Sequence, residues 1–293
     1  MGKAAVRKIA LIGLAIFAFG LRAGVASAHQ PQLVTGLAPV TVTEPEISKA
    51  YYDELTGQPR VYHIVSNTSF VLFVQITVPK SSNPEGRYEA DIYRLAGNSR
   101  TEEAKLLPNY YLWSEMYEPF GGDVYYEGPI FKQRVEAGTY DVEISGNGNK
   151  GKYALAIGDT ESFTLGEALS AAMLIPTLKS DFFNESPLTF VASIFGSIYL
   201  ALFLLLGLLL GFVYRYLLKR YKVHQHGTSA FRKNIGLGDR VTRVGAGIFF
   251  LGWALLTTWN PLLIIIAGFC FYEALAGWCA LYAALGKNTC PVA

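Results

Sequence analysis

The sequence predicts a membrane protein, in which an exported all-β sandwich or jelly-roll domain is followed by three transmembrane α-helices, one anchor plus a helical hairpin. Three observations predict it. The N-terminus is charged, then apolar, then closes on small residues; the middle of the chain alternates apolar and polar side chains; the last third carries three long apolar runs. Of the 293 residues 51% are hydrophobic and the mean hydropathy is +0.27, more apolar than a typical soluble chain.

Lys3, Arg7 and Lys8 precede the run IALIGLAIFAFGL, and Ala26-Ser27-Ala28 makes an A-x-A-type cleavage site before His29. Residues 1–28 therefore read as a Sec signal peptide, and the domain after it is expected outside the cytoplasm. Residues 29–160 read as the exported β domain. The stretches RVYHIVS, FVLFVQITV, YEADIYRL, TYDVEIS and KYALAIG are rich in Val, Ile, Tyr and Phe, and several alternate as half-buried strands do. In YEADIYRL, Ala90 and Ile92 share one face while Glu89, Asp91 and Tyr93 share the other. Turn signals at 81–86, 96–99 and 146–151 separate the strands.

Residues 161–187 read as a short juxtamembrane helix and linker, with Leu165, Leu169 and Met173 on one helical face and Pro176 at its end. The run 188–217 is long enough to cross the roughly 30 Å hydrocarbon layer. A basic loop, 218–238, comes next. Residues 239–293 form the hairpin, with spans at about 241–258 and 261–285 joined by the turn around TWNP.

Charge orients these elements. Between residues 29 and 187 there are 21 acidic and 12 basic side chains, a formal −9; from 188 to 293 there are 9 basic and 2 acidic, a formal +7. The stretch Arg215 to Arg243 holds eight of those cations and one acid, Asp239. The positive-inside rule places that loop in the cytoplasm, in agreement with the signal peptide. The expected location is a bacterial inner membrane, multi-pass, with the β domain periplasmic and the C-terminus cytoplasmic. The cations adjoin apolar spans, so topology accounts for them and no nucleic-acid partner is expected.

All three cysteines, Cys270, Cys279 and Cys290, fall in the last 24 residues, which excludes a disulfide scaffold or a cysteine enzyme in the β domain. The chain carries no G-x-S-x-G, H-E-x-x-H or P-loop, so no enzyme is expected. His63 stands alone in its strand, and His224 and His226 read as part of a solvated basic loop. The aromatic stretches NYYLWSEMYEPF and DVYYEGP contain Glu115, Glu118, Asp123 and Glu127. Exposed, they would make a carbohydrate or peptide platform, with Ca²⁺ held by the loop carboxylates; buried, which is the expectation, they are sandwich packing. No other cofactor is expected.

Two segments resemble known families. EAGTYDVEISGNGNKGKYALAIG, residues 136–158, resembles the closing hairpin of bacterial pre-peptidase-type jelly-roll modules through Gly138, Tyr140, Val142, Ile144, Gly151, Tyr153, Leu155 and Ile157. About residues 232–292, the chain resembles the YgaP-like inner-membrane transmembrane domain. An opening pattern is matched by Asn234, Gly236, Asp239, Arg240, Arg243 and Gly247. A closing pattern is matched by Gly277, Cys279, Leu281, Tyr282, Leu285, Gly286, Thr289, Cys290 and Pro291. Where many members have Cys-Pro, this chain has Cys279-Ala280, which is expected to leave the helix unbroken. The resemblance implies a two-helix hairpin. One member joins it to a cysteine-dependent rhodanese, which the β domain here, lacking cysteine, cannot reproduce.

Asp239 suits the positive start of the second span and lies four residues before Arg243, an ion-pair spacing, while Arg240 and Arg243 are expected to reach lipid headgroups. Glu273 falls midway along the third span, where a carboxylate needs a partner. Gly277 shares its face, and Gly268 and Ala276 add small surfaces, so an association site in a homo-oligomer is the preferred reading. The leading function is a membrane-anchored envelope protein whose exported sandwich binds a periplasmic or cell-surface ligand, the hairpin serving anchoring and assembly. The alternatives are cytoplasmic-side thiol redox or sulfur handling through Cys279 and Cys290, and a transmembrane sensor.

Overall fold

The structure is a computed structural model that describes residues 29–222 and 233–290. The expected signal segment, and the part of the basic loop that carries His224 and His226, lie outside the described residues. The chain divides into two compact units, one ending at Ala171 and the other beginning at Ala172.

The first unit is built from strands β1 (Gln30–Leu33), β2 (Val40–Val42), β3 (Lys49–Thr56), β4 (Arg60–Ser66), β5 (Phe70–Pro79), β6 (Glu89–Ala96), β7 (Ser99–Leu106), β8 (Ser114–Glu118), β9 (Asp123–Val135), β10 (Gly138–Ser145) and β11 (Lys150–Ile157). They form two sheets, ordered β1-β3-β11-β5-β9-β8 and β2-β4-β10-β6-β7. Among these strands β1/β3 and β2/β4 pair in parallel and the other pairs are antiparallel. The alternation read from the sequence is the inside of this sandwich. Phe70, Leu72, Val74, Ile76 and Val78 of β5 meet Tyr140, Val142 and Ile144 of β10 and Tyr62 and Ile64 of β4 in one core. Ala90 and Ile92 turn inward as their pattern predicts. The unit is an all-β two-sheet domain, as expected.

A polar knot ties the two sheets together inside that core. Asp53 of β3 pairs with Arg60 of β4 at 2.8 Å, and its Oδ2 accepts from the Tyr62 hydroxyl at 2.9 Å and the Tyr153 hydroxyl at 3.1 Å. Arg60 spends its remaining donors on the carbonyls of Gly36 and Ala38. Every member of the knot is partnered, which is the condition under which buried charge is tolerated.

The second unit is helical. Helix α1 (Leu165–Thr177), at the junction of the two units, continues through Pro176 into a π-helical turn at Leu178–Phe182, so the proline does not end the helical path. The buried positions of α1 are Ala171, Ala172 and Ile175, while Leu169 and Met173 are exposed. The expected start of the first span at 188 also moves. Residues Pro187–Ala192 form a 3-10 turn, and α2 (Ile194–Lys222) begins after Ser193, whose Oγ accepts from the Gly196 amide at 2.9 Å.

Helices α3 (Leu237–Leu256) and α4 (Pro261–Ala276) come next, then the short α5 (Ala280–Leu285). Both α2 and α3 pack along α4. Glycines set the approach: a β-carbon on Gly207 of α2 or Gly268 of α4 would overlap the facing backbone carbonyl, and one on Gly247 of α3 would overlap the Phe271 ring. Among the described residues one helical stretch, Ile194–Leu218 of 25 residues, is long and apolar enough to cross a membrane, and α4 is a shorter apolar helix.

At the α3–α4 turn Trp259 adopts a positive φ of 53° and is fully buried. Its Nε1 donates to the carbonyls of Pro187 and Leu255, its own carbonyl accepts from the Tyr199 hydroxyl at 3.1 Å, and Phe190 packs 4.7 Å from its ring. The turn is thus a fixed corner.

Candidate functional site

The sequence predicts one apolar span over 261–285, and the structure breaks it. Gly277 takes a left-handed conformation, φ 63° and ψ 31°, and caps α4 by donating its amide to the Glu273 carbonyl. A C′ glycine is the usual way for a helix to stop. Cys279 is extended and opens α5. The absence of a proline after Cys279 therefore does not keep the helix whole, because the glycine two residues earlier has already ended it.

The break is held by residues of the opening motif. Asn234 clamps Cys279 through both ends of its side chain, Oδ1 accepting from the Cys279 amide at 2.7 Å and Nδ2 donating to the Cys279 carbonyl at 2.9 Å. The Asn234 and Ile235 amides donate to the Gly277 carbonyl. Gly236 donates its amide to the Thr289 hydroxyl, which in turn donates to Asp239, and the Tyr282 hydroxyl donates to the other Asp239 oxygen at 3.3 Å. Gly286, φ 69°, caps α5 and returns the chain so that the Thr289 amide reaches the Asn234 carbonyl at 3.1 Å. The two motifs, well separated in sequence, thus form one knot.

Arg243 and Glu273 occupy the middle of it. The Arg243 Nε lies 3.0 Å from Glu273 Oε2, and Glu273 Oε1 accepts from the Ala280 amide at 2.9 Å. The Arg243 terminal nitrogen donates to Cys279 Sγ at 3.2 Å. Cys270, one turn before Glu273 on α4, is also buried. Three expectations change. Glu273 sits one turn from the end of α4 rather than midway along a span, and both its oxygens are engaged inside the chain. Arg243 turns inward to Glu273 rather than to Asp239 or to headgroups. Gly277 is a helix stop beneath the Arg240 guanidinium rather than a packing surface. Cys279 is buried at 1% exposure, Cys290 is half-buried, and none of the three cysteines is in a disulfide. The Cys279 sulfur is thus held by a guanidinium donor, and its burial keeps reagents away.

In the β unit, the aromatic stretches expected in the core lie partly on the surface. Tyr110, Leu112 and Tyr117 are 81%, 92% and 56% exposed, whereas Tyr125 is buried. Arg87 stacks on Trp113 and Tyr126, at 5.0 and 5.3 Å from the ring centres. The ring of Trp113 lies directly over Gly128, where any side chain would displace it. The nearby carboxylates serve separate neighbours. Glu115 pairs with Lys80 at 2.5 Å, Glu118 accepts from the Phe120 and Gly121 amides of its own turn, and Glu127 accepts from Gln75. Among the described residues no group of three or more His, Cys, Asp or Glu is arranged to hold a metal ion. His63 pairs with Asp141 across β4 and β10 at 2.7 Å.

Comparisons with known proteins bear mainly on the helical unit. Residues 231–293 match the family described as inner membrane protein YgaP-like, transmembrane domain, which bears out the resemblance carried by the two motifs. No curated protein matches the chain. A solved structure, the pre-peptidase C-terminal domain of collagenase from Bacillus anthracis, matches at 8% identity with a TM-score of 0.25, covering 45% of this chain and 95% of that one. The chain is thus a membrane-associated protein with a two-sheet β domain and a C-terminal transmembrane region that is similar to that inner-membrane domain.

Proposed function

We propose that the chain is a multi-pass inner-membrane protein whose β-sandwich is exported and binds an envelope glycan through its exposed aromatic edge, with the helical unit as anchor. In this reading the signal segment leads residues 29–160 out, the first span returns the chain to a cytoplasmic basic loop, and the hairpin ends in the cytoplasm. The single observation that carries the binding role is the exposure of Tyr110, Leu112 and Tyr117, in a stretch whose Trp113 stacks on Arg87. Rings held at a surface next to cations and carboxylates suit stacking on sugar faces with polar contacts at the edges, and no reacting group is needed. The test is binding of the full chain in nanodiscs to arrays of envelope glycans and peptides. Glycan retention lost in the Tyr110→Ala/Leu112→Ala/Tyr117→Ala variant supports the role; retention of peptides alone, or retention unchanged in the variant, contradicts it.

A second reading, thiol chemistry on the cytoplasmic side, is favoured by one observation, the 3.2 Å approach of Arg243 to Cys279 Sγ. It requires Cys279 to be reached from the cytoplasm. Alkylation of inverted vesicles by a small permeant reagent tests it, and a Cys279 that never reacts while the protein stays folded removes it.

A further inference from the structure

We infer that the end of the helical unit around residues 277–282 is a binding site for the phosphate of an anionic phospholipid headgroup; the inference rests on the membrane placement proposed above. Cations from separate segments converge there. Arg215, near the end of the apolar run of α2, lies 5.5 Å from the Trp278 ring. Arg240, in the first turn of α3, lies against Gly277, and Arg243 and Lys287 lie 6.0 and 4.7 Å from the Tyr282 ring.

The balance of charge there is unequal. Residues 188–293 contain two acids, Asp239 and Glu273. Asp239 is taken by Tyr282 and Thr289, and Glu273 is taken by Arg243 and the Ala280 amide. Among the described residues the Arg240 and Lys287 side chains then have no carboxylate and no hydrogen-bond partner. The Arg240 guanidinium lies against the glycine that ends α4, where a β-carbon would overlap it. An uncompensated guanidinium is a bidentate phosphate donor.

A lipid, rather than free phosphate, fits the surroundings. Arg215 stands in the last turns of an apolar helix whose Leu209, Leu210, Val213 and Leu217 are exposed for acyl chains, and Tyr214 lies 6.3 Å from Trp278. Aromatic rings and cations at the end of an apolar run mark the headgroup level. Arg243, expected at that level too, is excluded by its pair with Glu273, so Arg240 and Lys287 carry the recognition.

The test uses the full chain in neutral detergent, titrated with phosphatidylglycerol or with phosphatidylcholine of the same acyl chains, and read by native mass spectrometry. Phosphatidylglycerol should be retained in preference. Arg240→Gln should reduce that preference about fivefold, the worth of one interfacial cation. Lys287→Gln, at an exposed position outside the helices, should reduce it in the same direction, and Arg240→Lys should keep most of it. Equal retention of both lipids, or a preference unmoved by both neutral variants, overturns the site while leaving the membrane placement intact. Loss of the preference on adding millimolar inorganic phosphate overturns the lipid assignment. A chain that stays soluble without detergent and retains neither lipid overturns the placement itself.

Discussion

Arg243 of α3 and Glu273 of α4 meet at 3.0 Å, and the same guanidinium donates to Cys279 beyond the end of α4. One cation therefore joins both helices of the hairpin to the segment after them. Removing one member of a buried pair costs about 3–5 kcal/mol, with a value near the lower end expected here because Arg243 keeps some exposure. Unfolding of Glu273→Gln and Arg243→Gln in micelles should show that loss in each, and the double variant should recover part of it. Strictly additive losses would mean that the pair is not coupled.

Gly277 and Gly286 share a left-handed backbone, yet a side chain at 286 would meet nothing within 4 Å while one at 277 would strike Arg240. Left-handed strain alone costs a substituted residue about 1–2 kcal/mol. Gly277→Ala should therefore destabilise the helical unit more than Gly286→Ala, measured side by side by thermal unfolding. Because only the end of a flexible side chain has to move, the excess is expected to be small, and a smaller loss in Gly277→Ala than in Gly286→Ala would deny Arg240 its seat on Gly277.

The burial of tyrosines in the sandwich predicts a pH dependence. Burial pushes Tyr51 up from 10.0 to about 12 and raises Tyr62, Tyr125 and Tyr153 well above their ordinary value, with Asp53 adding to the rise of Tyr62 and Tyr153 and Asp123 to that of Tyr125. A group whose proton is held more tightly in the folded state stabilises the fold fully below its unfolded value and loses that contribution as pH climbs through the folded one. Denaturant midpoints of the β domain should thus hold up to about pH 10 and fall toward pH 12. Tyrosinate absorbance should appear together with unfolding; ionisation in advance of it would contradict the packing of these rings.

Cys279 is buried and Cys290 is half-exposed. A membrane-permeant maleimide should label Cys290 quickly and Cys279 only on unfolding, so Cys290→Ser should remove the fast phase. A fast phase that survives in Cys290→Ser but not in Cys279→Ser would favour the thiol reading over the anchoring one.

The sandwich was legible because its core residues alternate: Ala90 and Ile92, or Tyr140, Val142 and Ile144, announce the buried face of a strand whatever its partners. The Asp53–Arg60–Tyr62–Tyr153 knot was not, since which polar residues meet inside depends on sheet pairing that no local pattern encodes. In the helical unit hydropathy marked the three apolar stretches but ran straight through the break at Gly277, because Trp278, Cys279 and Ala280 are as apolar as a span. The motif residues could be listed from their spacing; that Asn234 holds Cys279 and Arg243 holds Glu273 needed the fold. The exposure of Tyr110 and Tyr117 escaped the reading for a related reason: aromatic content is the same on either face of a sheet.

Both the glycan-binding role and the lipid site depend on which side of the membrane each unit occupies. The measurement that tests this most directly is labelling by a membrane-impermeant maleimide of a chain carrying Asn98→Cys in the exposed β6–β7 turn, in a Cys290→Ser background, compared with the parent chain that keeps Cys290. The thiol introduced in that turn should be labelled in intact spheroplasts, and Cys290 should be labelled only in inverted vesicles. Labelling of the β6–β7 turn only from the cytoplasmic side would contradict the proposed placement.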